Sequence, residues 1–185
     1  MDWLQALILG LVQGLTEFLP VSSSGHLAIG RALLGVEASE DLVFEVTVHA
    51  ATVLATILVF RKQIGQLLAG LFKFKYNDET DYILKICVSM IPVFVVGVFL
   101  KDYVENLFSS LYVVGAALLV TAALLYFSDR KSGAVPAATT SARNGISWWQ
   151  ALVIGLGQAV AVLPGLSRSG TTISTGLLCG VRREN

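Results

Sequence analysis

Two short polar runs interrupt otherwise apolar sequence, Pro20-Val-Ser-Ser-Ser-Gly-His26 and Pro164-Gly-Leu-Ser-Arg-Ser-Gly170, and both carry residue types suited to handling phosphate. In the first, Ser22, Ser23 and Ser24 offer hydroxyls, Gly25 a flexible backbone, and His26 an imidazole able to act as nucleophile, acid or base near neutral pH. Ser and Gly also present backbone donors that cradle an anion where they open a new helix. In the second run Gly165, Ser167, Ser169 and Gly170 flank Arg168, whose planar guanidinium forks onto phosphate oxygens and keeps its charge. Thr171 and Thr172 follow directly.

Gln13 and Glu17 precede the first run at a spacing of four, which places amide and carboxylate on one helix face. A carboxylate in apolar surroundings is costly and turns toward a cavity or a partner. Arg168 likewise needs an anion, either a ligand phosphate or Glu17, and a plain Arg168–Glu17 ion pair is the structural alternative. His49 sits inside an unbroken apolar run and reads as structural. Cys87 and Cys179 lie in apolar stretches without a CxxC or a neighbouring His, so they read as small core residues rather than a redox or zinc motif.

The elements that must position these residues belong to a membrane. Hydrophobic residues make up 55% of the chain and charged residues 14%, with mean hydropathy +0.72, too little polar material to cover a water-soluble domain of this size. The formal net charge is zero, so no global basic field recruits nucleic acid. The Met1-Asp2-Trp3 start lacks the charged start and cleavage site of a secretory signal, so the first apolar run is expected to remain in the mature protein. Leu42–Phe60, Ile83–Leu100 and Leu111–Phe127 approach the roughly 20 residues a bilayer crossing needs. Arg61–Tyr82 and Asp129–Ser147 are basic loops on one side, cytoplasmic by the positive-inside rule. Glu37–Asp41 and Lys101–Asn106, with Asp102 and Glu105, are acidic and face outward.

Leu4–Leu19 and Ala151–Leu163 are shorter, and each stops at a proline before a polar run. Broken helices at membrane depth are tolerated where protein or a polar cavity satisfies their backbone. The two stretches also repeat one another. A shift of 145 positions pairs Trp3 with Trp148, Gln5 with Gln150, Gly10 with Gly155 and Gln13 with Gln158. After a compensating slip at the prolines it pairs Ser22, Ser24 and Gly25 with Ser167, Ser169 and Gly170. Three intervening crossings make this an inverted-topology repeat. Gly10 and Gly14, with Gly155 and Ala159, form small-residue faces suited to close helix contact. The expected fold is an all-α polytopic membrane protein, an inverted-topology repeat with two re-entrant helical hairpins and at least three spanning helices. Its divisions are a first re-entrant repeat at 1–36, three spanning helices at 42–127, a cytoplasmic loop at 128–147 and a second re-entrant repeat at 148–181.

Gln13-x-x-x-Glu17, the run Pro20 to His26 and Pro164-Gly-x-Ser-Arg-Ser-Gly170, in this order and each polar run behind a truncated apolar helix, resemble the undecaprenyl-diphosphate phosphatase family, also called bacitracin resistance proteins. The resemblance covers essentially the whole chain. It implies hydrolysis of undecaprenyl diphosphate to the monophosphate carrier reused in peptidoglycan synthesis, in a bacterial plasma (inner) membrane, with an active site opening to the outer face. It implies acid/base or metal roles for Glu17 and Gln13, nucleophile and partner roles shared between Ser23 and His26, and diphosphate binding by Arg168 with Gly165, Ser167, Ser169 and Gly170. Ser22, Ser24, Gly25 and Thr171 complete the expected substrate-binding set. A divalent cation, Mg2+ or Ca2+, is expected to offset phosphate charge. The expected partners are the polyprenyl diphosphate and membrane lipid, without nucleic acid, with scope for a homo-oligomer. Members of the family continue past the second run with further helices, so a chain ending at Arg182-Arg183-Glu184-Asn185 is expected to be C-terminally truncated. Broken helices in inverted repeat also suit a secondary transporter or lipid-phosphate flippase; a Ser, His and Glu cluster facing an Arg favours covalent chemistry.

Overall fold

The computed structural model describes residues 1–36, 42–100, 103–104, 110–132 and 145–181, and the described residues form helices and no strand. The helices are α1 (Trp3–Thr16), α2 (Ser23–Leu34), α3 (Leu42–Val59), α4 (Arg61–Leu71), α5 (Asp78–Phe99), α6 (Leu111–Ser132), α7 (Trp148–Val160) and α8 (Arg168–Leu178). Helices α5 and α6 are long and apolar enough to cross a membrane, and α3 with α4 makes a third candidate if that bent pair is one span. Outward-facing apolar side chains such as Leu11, Leu15, Phe94 and Leu119 are exposed, whereas Gln13, Thr121, Ser167 and Ser174 are buried. Apolar surface outside and polar groups inside suit a hydrocarbon solvent. The chain is a multi-pass membrane protein.

Helices α1, α2, α7 and α8 have 14, 12, 13 and 11 residues. At about 1.5 Å per residue none reaches across a hydrocarbon core of about 30 Å. α1 packs on α2 and α7 on α8, and the two pairs are built alike. Asp2 and Gln5 form a capping box at the start of α1, as Ser147 and Gln150 do at the start of α7. The same glutamines then reach across each pair, Gln5 Nε2 to the Leu34 carbonyl at 3.1 Å and Gln150 Nε2 to the Cys179 carbonyl at 2.9 Å. Both second helices end on a left-handed glycine, Gly35 at φ 66° and Gly180 at φ 85°. There Val36 N–H donates to the Arg31 carbonyl and Val181 N–H to the Gly176 carbonyl, closing equivalent helix ends.

Contacts between helices set the start of each pair beside the start of a different apolar helix. Arg31 near the end of α2 is ion-paired with Glu45 in the first turn of α3, so α3 leaves from the end of the molecule where α1 begins. The Lys85 ammonium in α5 lies 5.8 Å from the Trp148 ring, so α7 begins beside the start of α5, which is reached only after α3 and α4.

Several sequence expectations change. Arg61–Tyr82 is not one loop: α3 turns by 75° into α4, which opens on exposed Arg61 and Lys62. α5 begins at Asp78 rather than Ile83 because Asn77 caps it, accepting from Thr80 N–H at 2.8 Å. Inside its first turns Asp81 and Lys85 are buried as an i,i+4 ion pair at 2.5 Å, and Tyr76 donates to the same carboxylate. α6 runs on to Ser132, past the expected end at Phe127. Cys87 is exposed and Cys179 half-buried, so neither is a core residue. Of the small-residue faces, Gly155 is at a close approach, where a Cβ would stand 2.4 Å from the Ser89 carbonyl oxygen of α5, while Gly10 and Gly14 have no neighbour within 4 Å of theirs. The acidic residues Glu37, Asp41, Asp102 and Glu105, and Arg143 and Arg182 to Asn185, lie outside the described residues.

Candidate active site

The two polar turns meet. A Cβ on Gly170 would come within 2.8 Å of the Pro20 carbonyl oxygen, and one on Gly25 within 3.3 Å of the Gly165 Cα. Only glycine permits this approach of one turn to the other. The second turn is also clamped by α6: Thr121 Oγ1 donates to the Gly165 carbonyl at 3.3 Å and accepts from Ser167 N–H at 3.1 Å. Gly165 itself has φ 87° and faces the Val114 carbonyl, where a Cβ would be 2.5 Å away. Freed backbone groups at the break are thus satisfied by a neighbouring helix.

Each turn launches a helix the same way. Ser22 caps α2 by accepting from Gly25 N–H at 3.3 Å, and Ser167 caps α8 by accepting from Gly170 N–H at 3.0 Å. Ser22 Oγ is 3.4 Å from Ser24 Oγ and Ser167 Oγ is 3.2 Å from Ser169 Oγ. The first helical residues are Ser23 and Arg168, which puts a hydroxyl and a guanidinium at two positive helix N-termini.

Both residues line one cavity of about 490 Å³, together with Glu17, His49, Gln158 and Ser169. Glu17 Oε2 accepts from Ser23 Oγ at 2.5 Å and from Gln13 Nε2 at 2.9 Å. Gln13 is buried and does not line the cavity; it reaches the carboxylate through Nε2, and its Oε1 is buried without a partner among the described residues. Arg168 is exposed to the cavity and makes no ion pair among the described residues, so the plain Arg168–Glu17 bridge is absent and the guanidinium stays available to an anion.

The remaining expected residues divide. Ser167, Ser169, Glu17, Ser23 and Arg168 come together at the cavity. Ser22, Ser24, Gly25, Gly165 and Gly170 shape the turns without lining it. Thr171 is buried, while its neighbour Thr172 lines the cavity in its place, because the first turn of α8 points position 172 rather than 171 outward. His26 is turned back along α2, its Nδ1 2.8 Å from the Ser22 carbonyl, and is not in the lining. Sequence reasoning missed His49, which lines the cavity from α3, and Gln158, whose pairing with Gln13 in the repeat was the available signal. Among the described residues no three His, Cys, Asp or Glu side chains are grouped to hold a metal.

The model of the bacitracin resistance protein BacA family matches residues 6–185. The chain is 56% identical over 181 residues to an undecaprenyl-diphosphatase of Bacteroides thetaiotaomicron, covering 97% of this chain and 66% of that protein. It is 57% identical over 181 residues to the undecaprenyl-diphosphatase of Parabacteroides distasonis, covering 97% and 65%. A more distant undecaprenyl-diphosphatase, from the archaeon Methanosphaera stadtmanae, is 41% identical over 199 residues, covering 100% and 70%. The chain therefore spans a little under two thirds of the length of the bacterial relatives it matches at 56–57% identity.

Proposed function

The chain belongs to the bacitracin resistance protein BacA family, and from that premise we propose that it hydrolyses undecaprenyl diphosphate to undecaprenyl phosphate and inorganic phosphate. The observation that carries this reading is the Ser23 Oγ to Glu17 Oε2 hydrogen bond at 2.5 Å, in a cavity also lined by Arg168. A hydroxyl bonded to a carboxylate is an activated nucleophile, and an arginine across from it supplies charge for the phosphate oxygens. Between Ser23 and His26, cavity position favours Ser23.

In this mechanism Arg168 and the first-turn amides of α2 and α8 hold the diphosphate. Ser23 Oγ attacks the terminal phosphorus and gives its proton to Glu17, while the bond to the bridging oxygen breaks and leaves the lipid monophosphate. Such transfers depend mainly on positioning and charge stabilisation. Gln13 keeps Glu17 Oε2 aimed at Ser23. A divalent cation, Mg2+ or Ca2+, would enter on the diphosphate oxygens and offset their charge, with Glu17 the one carboxylate of the lining able to touch it and no protein cage of its own among the described residues. The isoprenoid tail would lie in apolar surface between helices, with the site in a bacterial plasma membrane and opening outward. Recycling the carrier in this way supports peptidoglycan synthesis and bacitracin resistance.

The test uses the full-length gene product in detergent. Ser23→Ala is expected to lower phosphate release from undecaprenyl diphosphate by at least about 10³-fold. Undiminished release would refute the mechanism, and gradient-driven lipid flux without phosphate release would favour a carrier.

A further inference from the structure

His49 stands on α3, outside both polar turns, and lines the cavity that holds Glu17, Ser23 and Arg168. Its Nδ1 is 2.8 Å from the Glu45 carbonyl oxygen. A carbonyl only accepts, so Nδ1 carries the ring proton and Nε2 keeps a lone pair. The turn of α3 that presents the ring is anchored, because Glu45 is ion-paired with Arg31 of α2, the helix that begins at Ser23. His26 makes the same kind of Nδ1 bond but does not line the cavity.

Attack by Ser23 leaves a phosphoserine and a protonated Glu17. Water must then be deprotonated to hydrolyse that ester, at a moment when Glu17 is already holding a proton. Arg168 cannot accept one. Among the described residues lining the cavity, the remaining group with a basic lone pair at neutral pH is His49.

We propose that His49 Nε2 is the base for this second half-reaction, an inference that rests on Ser23 being the nucleophile. The water oxygen bonds to phosphorus as its proton passes to Nε2. The P–Oγ bond breaks, and Glu17 returns its proton to Ser23 Oγ. Inorganic phosphate leaves, and His49 gives its proton to solvent. The two half-reactions thus use separate bases, one from a repeat and one from a helix between the repeats.

The experiment follows undecaprenyl diphosphate labelled in its terminal phosphate, with full-length protein carrying His49→Ala or the size-conserving His49→Gln. Steady-state phosphate release should fall by about 10²- to 10³-fold, while the first turnover still yields lipid monophosphate. Label should accumulate on the protein toward one per chain and map to Ser23. Turnover within threefold of the parent in either variant would overturn the role of His49, as would slow turnover with no label retained in the folded His49→Gln protein. Turnover persisting in Ser23→Ala would instead refute the nucleophile assignment, and the role of His49 with it.

Discussion

The α1–α2 and α7–α8 pairs share a frame and differ in what they mount on it. At a shift of 145 residues the capping boxes, the glutamine crossing to the partner helix, the serine caps and the glycine helix ends all coincide. The first residue of the second helix is Ser23 in one pair and Arg168 in the other. Position 17 is a glutamate where its counterpart, position 162, is a valine. In the proposed mechanism the first pair thus holds nucleophile and base, and the second holds the cation that receives the anion. A symmetric frame brings two helix N-termini to one cavity, and in that mechanism divergence at two positions makes the chemistry directional.

That division of labour predicts different kinetic signatures from the two sides. Glu17→Gln keeps shape and the hydrogen bond to Ser23 but removes the proton acceptor, so kcat should fall by about 10²- to 10⁴-fold with KM little changed. Arg168→Lys keeps the charge and loses the two-pronged grip, so kcat/KM should fall by roughly 10- to 100-fold, mainly through KM. Steady-state kinetics on the full-length protein separate the two. Identical signatures would break the division between an acid/base turn and a binding turn.

The frames also differ in how tightly they are clamped. Gly165 sits at φ 87° against the Val114 carbonyl of α6, whereas Gly35 at φ 66° has no neighbour within 4 Å of its absent Cβ. Gly165→Ala meets both backbone strain and a clash and should cost about 2–4 kcal/mol. Gly35→Ala meets strain alone and should cost about 1 kcal/mol. Equal losses in thermal unfolding would mean that α6 is not what fixes the second turn.

Much of this was legible in sequence wherever a polar residue was costly in its setting. Glu17, the serine runs and Arg168 stand out against apolar neighbours, and the prolines mark the breaks. His49 was not legible, because one imidazole in an unbroken apolar helix carries no local sign of which face meets a cavity; tertiary packing alone puts it there. His26 shows the opposite case: sequence places it beside the polar run, yet it does not line the cavity. Ser23, three residues before it, lines the cavity, but the helix turns the His26 ring onto the Ser22 carbonyl. α4 was hidden because Arg61 and Lys62 read as a loop, and the Asp81–Lys85 pair because the expected boundary at Ile83 put Asp81 in the loop and Lys85 in the span, although one helix carries both and each satisfies the other.

The smallest predicted difference isolates backbone strain from capping. Ser22 caps α2 at φ 68°, a region unfavourable to any residue with a Cβ, while Ser167 caps α8 at an ordinary φ of −68°. Ser22→Gly loses a cap worth a few tenths of a kcal/mol relative to glycine together with a long, weak contact to Ser24 at 3.4 Å, and recovers up to about 1 kcal/mol of strain. It should therefore be neutral to slightly stabilising. Ser167→Gly loses its cap and its contact with Ser169 with no strain to recover, and should destabilise by about 0.5–1 kcal/mol. Paired thermal melts in one detergent measure the sign of each change. A destabilised Ser22→Gly would mean that the first turn holds its serine for a hydrogen bond stronger than its 3.3 Å length suggests, and that strain plays no part in setting the two turns apart.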